Sequence, residues 1–121
     1  MIYRRKMYKV APSIIEEFNR HFNQTLLPTQ LKYGARLVGR WVTTHEGDAA
    51  EIFAIWEYDS HEEYERIEEK VRSDESHMKR VQDWFAKMGG RDNLKEVFFK
   101  IDQDFLESTV VNEKAKLSTK D

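Results

Sequence analysis

The segment from Lys32 to Tyr58 constrains the fold more than any other part of the chain. Two aromatic stretches, Ala35 to Thr44 and Glu51 to Tyr58, flank the short turn Glu46-Gly47-Asp48. Each alternates large apolar residues with small or charged ones, the period of a strand with one face buried. The pair reads as a β-hairpin between helical segments. At 121 residues the chain supports a single core, and seven Phe, five Tyr and three Trp supply the bulk to fill it.

Ile2 to Val10 mixes tyrosines and β-branched ends with basic residues and stops at Ala11-Pro12-Ser13, a strand and its boundary. A helix follows, with Ile14, Ile15, Phe18 and Phe22 at helical spacing. Pro28 lacks an N–H and clashes with the preceding turn, so this helix is expected to end or kink near Leu26-Leu27. A short second segment then runs to Tyr33, with Gly34 as a left-handed cap.

After the hairpin, Ser60-His61-Glu62-Glu63 matches a capping box, with Ser60 accepting from the Glu63 amide and Glu63 reaching back to that of Ser60. The helix it opens buries Tyr64, Ile67 and Val71, and its acidic side is solvated and laced by pairs such as Glu62 with Arg66. Ser73-Asp74 continues or restarts it, with Met78, Val81, Phe85 and Met88 spaced for burial and Gly89-Gly90 ending it. Glu96 to Asp102 alternates Val97, Phe99 and Ile101 with Phe98 and Lys100 as a fourth strand. Residues 1–108 form the domain, and 109–121 read as a polar tail. The order is that of an α+β, ferredoxin-like β-α-β-β-α-β fold with both helices on one sheet face. Because Phe53, Ile55, Trp56, Phe98 and Phe99 place apolar groups on both strand parities, the other face is expected to be covered by a second copy. That makes a homodimer, a dimeric α+β barrel.

A net charge of -2 argues against a nucleic-acid partner. No run of membrane-spanning length or signal-peptide core occurs, so no membrane partner and a cytoplasmic location are expected. Zero cysteines exclude a disulfide framework and a thiolate metal site. His21, His45, His61 and His77 stand in no recognised metal spacing, so neither metal nor cofactor is expected.

Between Ile2 and Met88 the chain resembles the NIPSNAP family, whose members are similar to the wider group of dimeric α+β barrels. The resemblance rests on an ordered set: Tyr3, Lys6, Tyr8 and Pro12, then Leu27-Pro28, Tyr33-Gly34, Leu37-Val38-Gly39 with Trp41, and Ile55-Trp56-Glu57-Tyr58. Lys6 stands where the family usually has arginine, giving a point charge in place of a planar fork. The resemblance implies a dimeric barrel that binds a small molecule or a partner protein, with no single agreed reaction.

Trp41, Trp56 and Tyr58 could line an apolar pocket, or could simply pack the barrel. Lys6, Tyr8 and Tyr33 belong to the pattern that carries the resemblance. Arg4 and Lys6 fall on one face of strand one, Arg5 and Lys9 on the other. Arg36 and Arg40, four apart, should share a face and could help hold a carboxylate or phosphate, unless these cations pair with the acidic helix or a second subunit. His21, near Phe18 and Phe22, is the best acid–base candidate, by analogy with barrel oxygenases. Three functions follow in order of increasing demand. The first is a dimer that binds a small hydrophobic or anionic molecule or a partner protein. The second is a cofactor-independent monooxygenase of a phenol or quinol using His21 as base. The third is haem binding or degradation through His77 or His21.

Overall fold

The computed structural model describes residues 1–43 and 47–111. Thr44, His45 and Glu46 of the hairpin turn, and the tail from Asn112, lie outside the described residues. Strand β1 (Ile2–Val10) is followed by a 3₁₀ turn (Pro12–Ile14), helix α1 (Ile15–His21), a π-helical stretch (Phe22–Leu26) and helix α2 (Leu27–Lys32). Then come β2 (Arg36–Val42), β3 (Ala50–Tyr58), α3 (His61–Ser73), α4 (Glu75–Lys87), α5 (Gly90–Val97) and β4 (Phe98–Leu106). The strands form one antiparallel sheet in the order β2-β3-β1-β4, the ferredoxin-like arrangement with helices against one face.

Pro28 does not end the first helix. The Leu27 amide bonds to the Phe22 carbonyl, five residues back, and the wider π-helical turn accommodates the proline in the first turn of α2. The positive φ of Gly34, 108°, then closes α2 as expected. At α3 only half of the capping box forms. Ser60 Oγ accepts from the Glu63 amide at 3.1 Å, but the Glu63 carboxylate pairs with Arg66 at 2.5 and 2.8 Å, displacing the expected Glu62 pair.

The inward side of β3, Ala50, Ile52, Ala54, Trp56 and Tyr58, is buried without exception. It separates two clusters. One gathers Phe22, Trp56, Tyr58, Ile67 and Val71 beneath α3, and the other Val10, Ile14, Phe18, Ile52 and Trp84 beneath α1 and α4. Each fully buried aliphatic side chain, such as Ile67, contributes about 1.5–3 kcal/mol.

Two bulges correct the strand reading. In β2 the register shifts between Leu37 and Gly39, so Val38 is an extra residue and the alternation flips there. Arg36 therefore points to the open face, where it binds Glu57 at 2.6 Å and Asp59 at 2.9 Å. Arg40 points under the helices, 5.0 Å from the Phe18 ring centre and 4.4 Å from that of Phe22. The two arginines do not share a face. In β4 the register against β1 shifts opposite Lys9/Val10, making Phe99 the extra residue and turning both Phe98 and Ile101 inward. This strand also starts later and runs further than the expected 96–102, because Gly89 and Gly90, both at positive φ, lead into α5. On α4 the buried residues are His77 and Trp84, with Met78, Val81 and Met88 half-buried, so the face is rotated away from Phe85.

The open face of the sheet carries Met7, Trp41, Phe53 and Ile55 among ion pairs such as Arg5 with Asp104. Trp41 is 46% exposed and leans on Phe53 at 5.3 Å.

Candidate functional site

Between the sheet and the helices α1, α4 and α5 lies a cavity of about 470 Å³. Alternation along β1 sends Arg4, Lys6, Tyr8 and Val10 inward. Lys6 and Tyr8 form part of the cavity floor, together with Phe98 and Ile101 from β4. Phe18 and His21 come from α1, Trp84 and Phe85 from α4, and Leu94 from α5, with Arg91 and Lys95 one helical turn apart on α5. No described lining residue is a carboxylate.

The aromatic walls are interlocked. Phe18 meets Tyr8 edge-on at 4.9 Å and Phe98 at 5.0 Å. The His21 ring lies flat on Trp84, 4.1 Å away with 6° between the planes. Trp84 Nε1 donates to Glu17 Oε2 at 2.9 Å, fixing the indole. His21 and Trp84 also line a second, smaller cavity of about 240 Å³ that is bordered by Glu17, Arg80 and Asp83, so they form the partition between an apolar and a polar space.

Burial sets the electrostatics. It pushes the His21 imidazole down to about 4, with His77 adding to the shift and Glu17 opposing it, so His21 is neutral at pH 7. Burial likewise pushes the Tyr8 phenol up, keeping it a donor. The Lys6 ammonium is pulled below its ordinary value by burial first and by Arg4 second. Among the described residues no carboxylate forms an ion pair with Lys6, Arg91 or Lys95. Glu68, the acid acting on Lys6, is committed to Arg4 at 3.9 Å and to Gln30 at 3.1 Å. Replacing Lys6 by Met should therefore raise the stability of the free protein by about 0.5–1 kcal/mol in chemical denaturation, since a poorly solvated, unpaired charge is lost. A loss of more than 1 kcal/mol would contradict this account.

Of the residues singled out in the sequence, Lys6, Tyr8 and His21 meet in this cavity. Arg40 lies beside it, bonded to Asn19 Oδ1 at 2.6 Å, and shares a cross-strand row with Lys6 through Ala54. Tyr33 donates to Asp74 at 2.8 Å and ties α2 to the α3–α4 junction. Trp56 and Tyr58 pack beneath α3 around Arg4, whose guanidinium lies 6.0 and 5.9 Å from their rings. Trp41 is on the opposite sheet face, so the aromatic trio of the sequence reading is not one pocket. Arg91, Lys95 and Leu94 were missed because they sit on a helix that the Gly-Gly pair hid. The recoverable signal was the i, i+4 spacing of Arg91 with Lys95 and of Leu94 with Phe98.

The sequence pattern of the NIPSNAP family matches residues 3–93. An uncharacterised NIPSNAP-like domain protein from Burkholderia xenovorans superposes with a TM-score of 0.68 at 18% identity, covering 92% of this chain and 87% of that one. A NIPSNAP family protein from Agrobacterium tumefaciens superposes with a TM-score of 0.68 at 17% identity, covering 93% and 96%. A Bacillus cereus protein described as a candidate antibiotic biosynthesis monooxygenase shares the fold with a TM-score of 0.55 at 11% identity, covering 92% and 95%. No curated protein matches the chain. Among the described residues no helix is long and apolar enough to cross a membrane, and no cluster of His and acidic side chains could hold a metal.

Proposed function

Because the chain belongs to the NIPSNAP family, whose pattern spans residues 3–93, we propose that it is a small-molecule binding protein that takes an amphipathic anion into this cavity and acts in the cytoplasm as a homodimer. The observation that carries the reading is the lining itself: aromatic walls with Lys6, Arg91 and Lys95 and no described carboxylate. An apolar body satisfies the walls, and an anionic oxygen satisfies cations that no described carboxylate pairs with. Thermal shifts measured with matched aromatic carboxylates and alcohols test this. The carboxylates should raise Tm by ligand linkage and the alcohols should not. Equal shifts, or none, defeat the proposal.

The second copy is supported by the open face, where Trp41, Phe53, Ile55 and Met7 form an apolar strip with ion pairs around it. Trp41→Glu should convert the protein to a monomer in sedimentation equilibrium at micromolar concentration, while wild type sediments as a dimer. A wild-type monomer there refutes the assembly.

A second reading, a cofactor-independent monooxygenase of a phenol or quinol, is favoured by one feature: His21 lines the cavity unprotonated, where it can meet a substrate hydroxyl, although the burial that pushes it down to about 4 weakens it as a base. The Bacillus cereus fold neighbour points the same way only by analogy. Oxygen uptake with a simple quinol, abolished in His21→Ala, is its expected sign, and full turnover by that variant removes the role. Haem capture finds less support: of its two candidate ligands, His77 is not among the lining residues, and the His21 ring lies flat on Trp84.

A further inference from the structure

The cations of the cavity stand at two separate stations. Lys6 and the Tyr8 hydroxyl belong to the central strand β1, on the floor, and both are partly covered. Arg91 and Lys95 belong to α5 and are exposed at the mouth. Between the stations the lining is hydrocarbon and aromatic: Phe18, Trp84, Leu94 and Phe98. Floor and mouth are thus one packed layer apart, on the order of 10 Å.

A ligand with one anionic end satisfies only one station. At the mouth, solvent screens Arg91 and Lys95 singly, so an oxygen anion gains a charge-assisted contact there only by bridging the pair. At the floor, Lys6 has lost part of its hydration and gained no carboxylate among the described residues, and the half-buried Tyr8 phenol has a proton to donate. The floor therefore rewards an oxygen anion, and an apolar segment lying between the walls leaves its far end at α5.

Resting on the binding reading above, we infer that the cavity is built for a rigid, two-ended ligand: an aromatic or similarly flat apolar body with an oxygen acid at each end, one on Lys6 and Tyr8, the other on Arg91 and Lys95. Dicarboxylates and hydroxycarboxylates of about naphthalene size are the class. Neutral lipids fall outside it, and simple monocarboxylates fill only one of the two stations.

The test titrates the full-length protein with naphthalene-2,6-dicarboxylate, 2-naphthoate and 2-naphthol, following Trp fluorescence and calorimetric heat. The dicarboxylate should bind about tenfold more tightly than 2-naphthoate, the gain from one added charge-assisted contact. Lys6→Met should bring the dicarboxylate down to the level of 2-naphthoate. The double change Arg91→Ser with Lys95→Ser should do the same from the other end, and because both residues are exposed it leaves the fold intact. Equal affinity for mono- and dicarboxylate in wild type overturns the two-station inference while leaving the anion cavity standing, as does a double variant that keeps the full preference. If neither carboxylate binds wild type, the cavity reading falls and this inference with it.

Discussion

Trp84→Ala is expected to lower stability by about 3–5 kcal/mol, the range for deleting a buried Trp side chain, and to abolish ligand binding in the same stroke. The indole is 8% exposed, stacks on His21 at 4.1 Å, approaches Phe18 at 6.3 Å and anchors Glu17 through its ring N–H. Removing it opens the partition between the two cavities and leaves His21 without its platform. Against a total of about 5–15 kcal/mol for a domain, the loss should appear as a fall in Tm of roughly 12–20 °C. Trp84→Phe keeps a stacking ring and loses the bond to Glu17, so it should cost about 1–2 kcal/mol. A Trp84→Ala loss under 1 kcal/mol would mean that the helix layer collapses onto the gap, and the cavity as described would not be a rigid one.

The second large effect is acid sensitivity above the carboxylate range. The folded His21 titrates near 4, against an ordinary value of 6.5, chiefly because it is buried. His77 is shifted in the same direction by burial and by Arg80, with Asp74 opposing. Below pH 6.5 the unfolded chain takes up protons that the folded chain refuses, so unfolding becomes easier as pH falls. Stability should hold steady above about pH 6.5 and decline by on the order of 2 kcal/mol toward pH 4, less than the full shift implies because His21 borders two cavities. His21→Phe preserves an aromatic ring on Trp84 and should flatten most of that slope in urea titrations at pH 7, 5.5 and 4.5. An unchanged slope would assign the acid sensitivity elsewhere.

The parts of this fold that could be read from residues were those whose pattern stayed unbroken. β1 and β3 pair with each other over nine residues without a register break, and β3 in particular buries every second side chain. Ser60 announced α3, and Gly34 announced the end of α2. Reading failed wherever one residue was added. Val38 in β2 separated Arg36 from Arg40, and Phe99 in β4 turned Phe98 and Ile101 to one side, because parity counting has no way to register an extra residue. His77 escaped the count of apolar positions although it is 3% exposed, since a polar side chain does not score in a hydrophobic period. For the site, Lys6 and Tyr8 were legible in the ordered pattern that carries the family resemblance, and His21 by its place near Phe18 and Phe22 and the analogy with barrel oxygenases. Arg91 and Lys95 follow two glycines that resemble a stop, and α5 has no side-chain cap to announce it.

The bulge at Val38 has a consequence for how copies of this chain can add to one another. It lies in β2, an outer strand, where an irregular, twisted margin is a poor template for a foreign strand. The opposite margin, β4, carries Lys100, Asp102 and Asp104, whose charges guard it by other means. In the homodimer proposed above, margins that discourage ribbon growth leave the flat of the sheet as the surface of association. Two flats laid together leave no third to offer, so in that assembly the same extra residue that re-aims an arginine would favour a finite pair over an open-ended fibril.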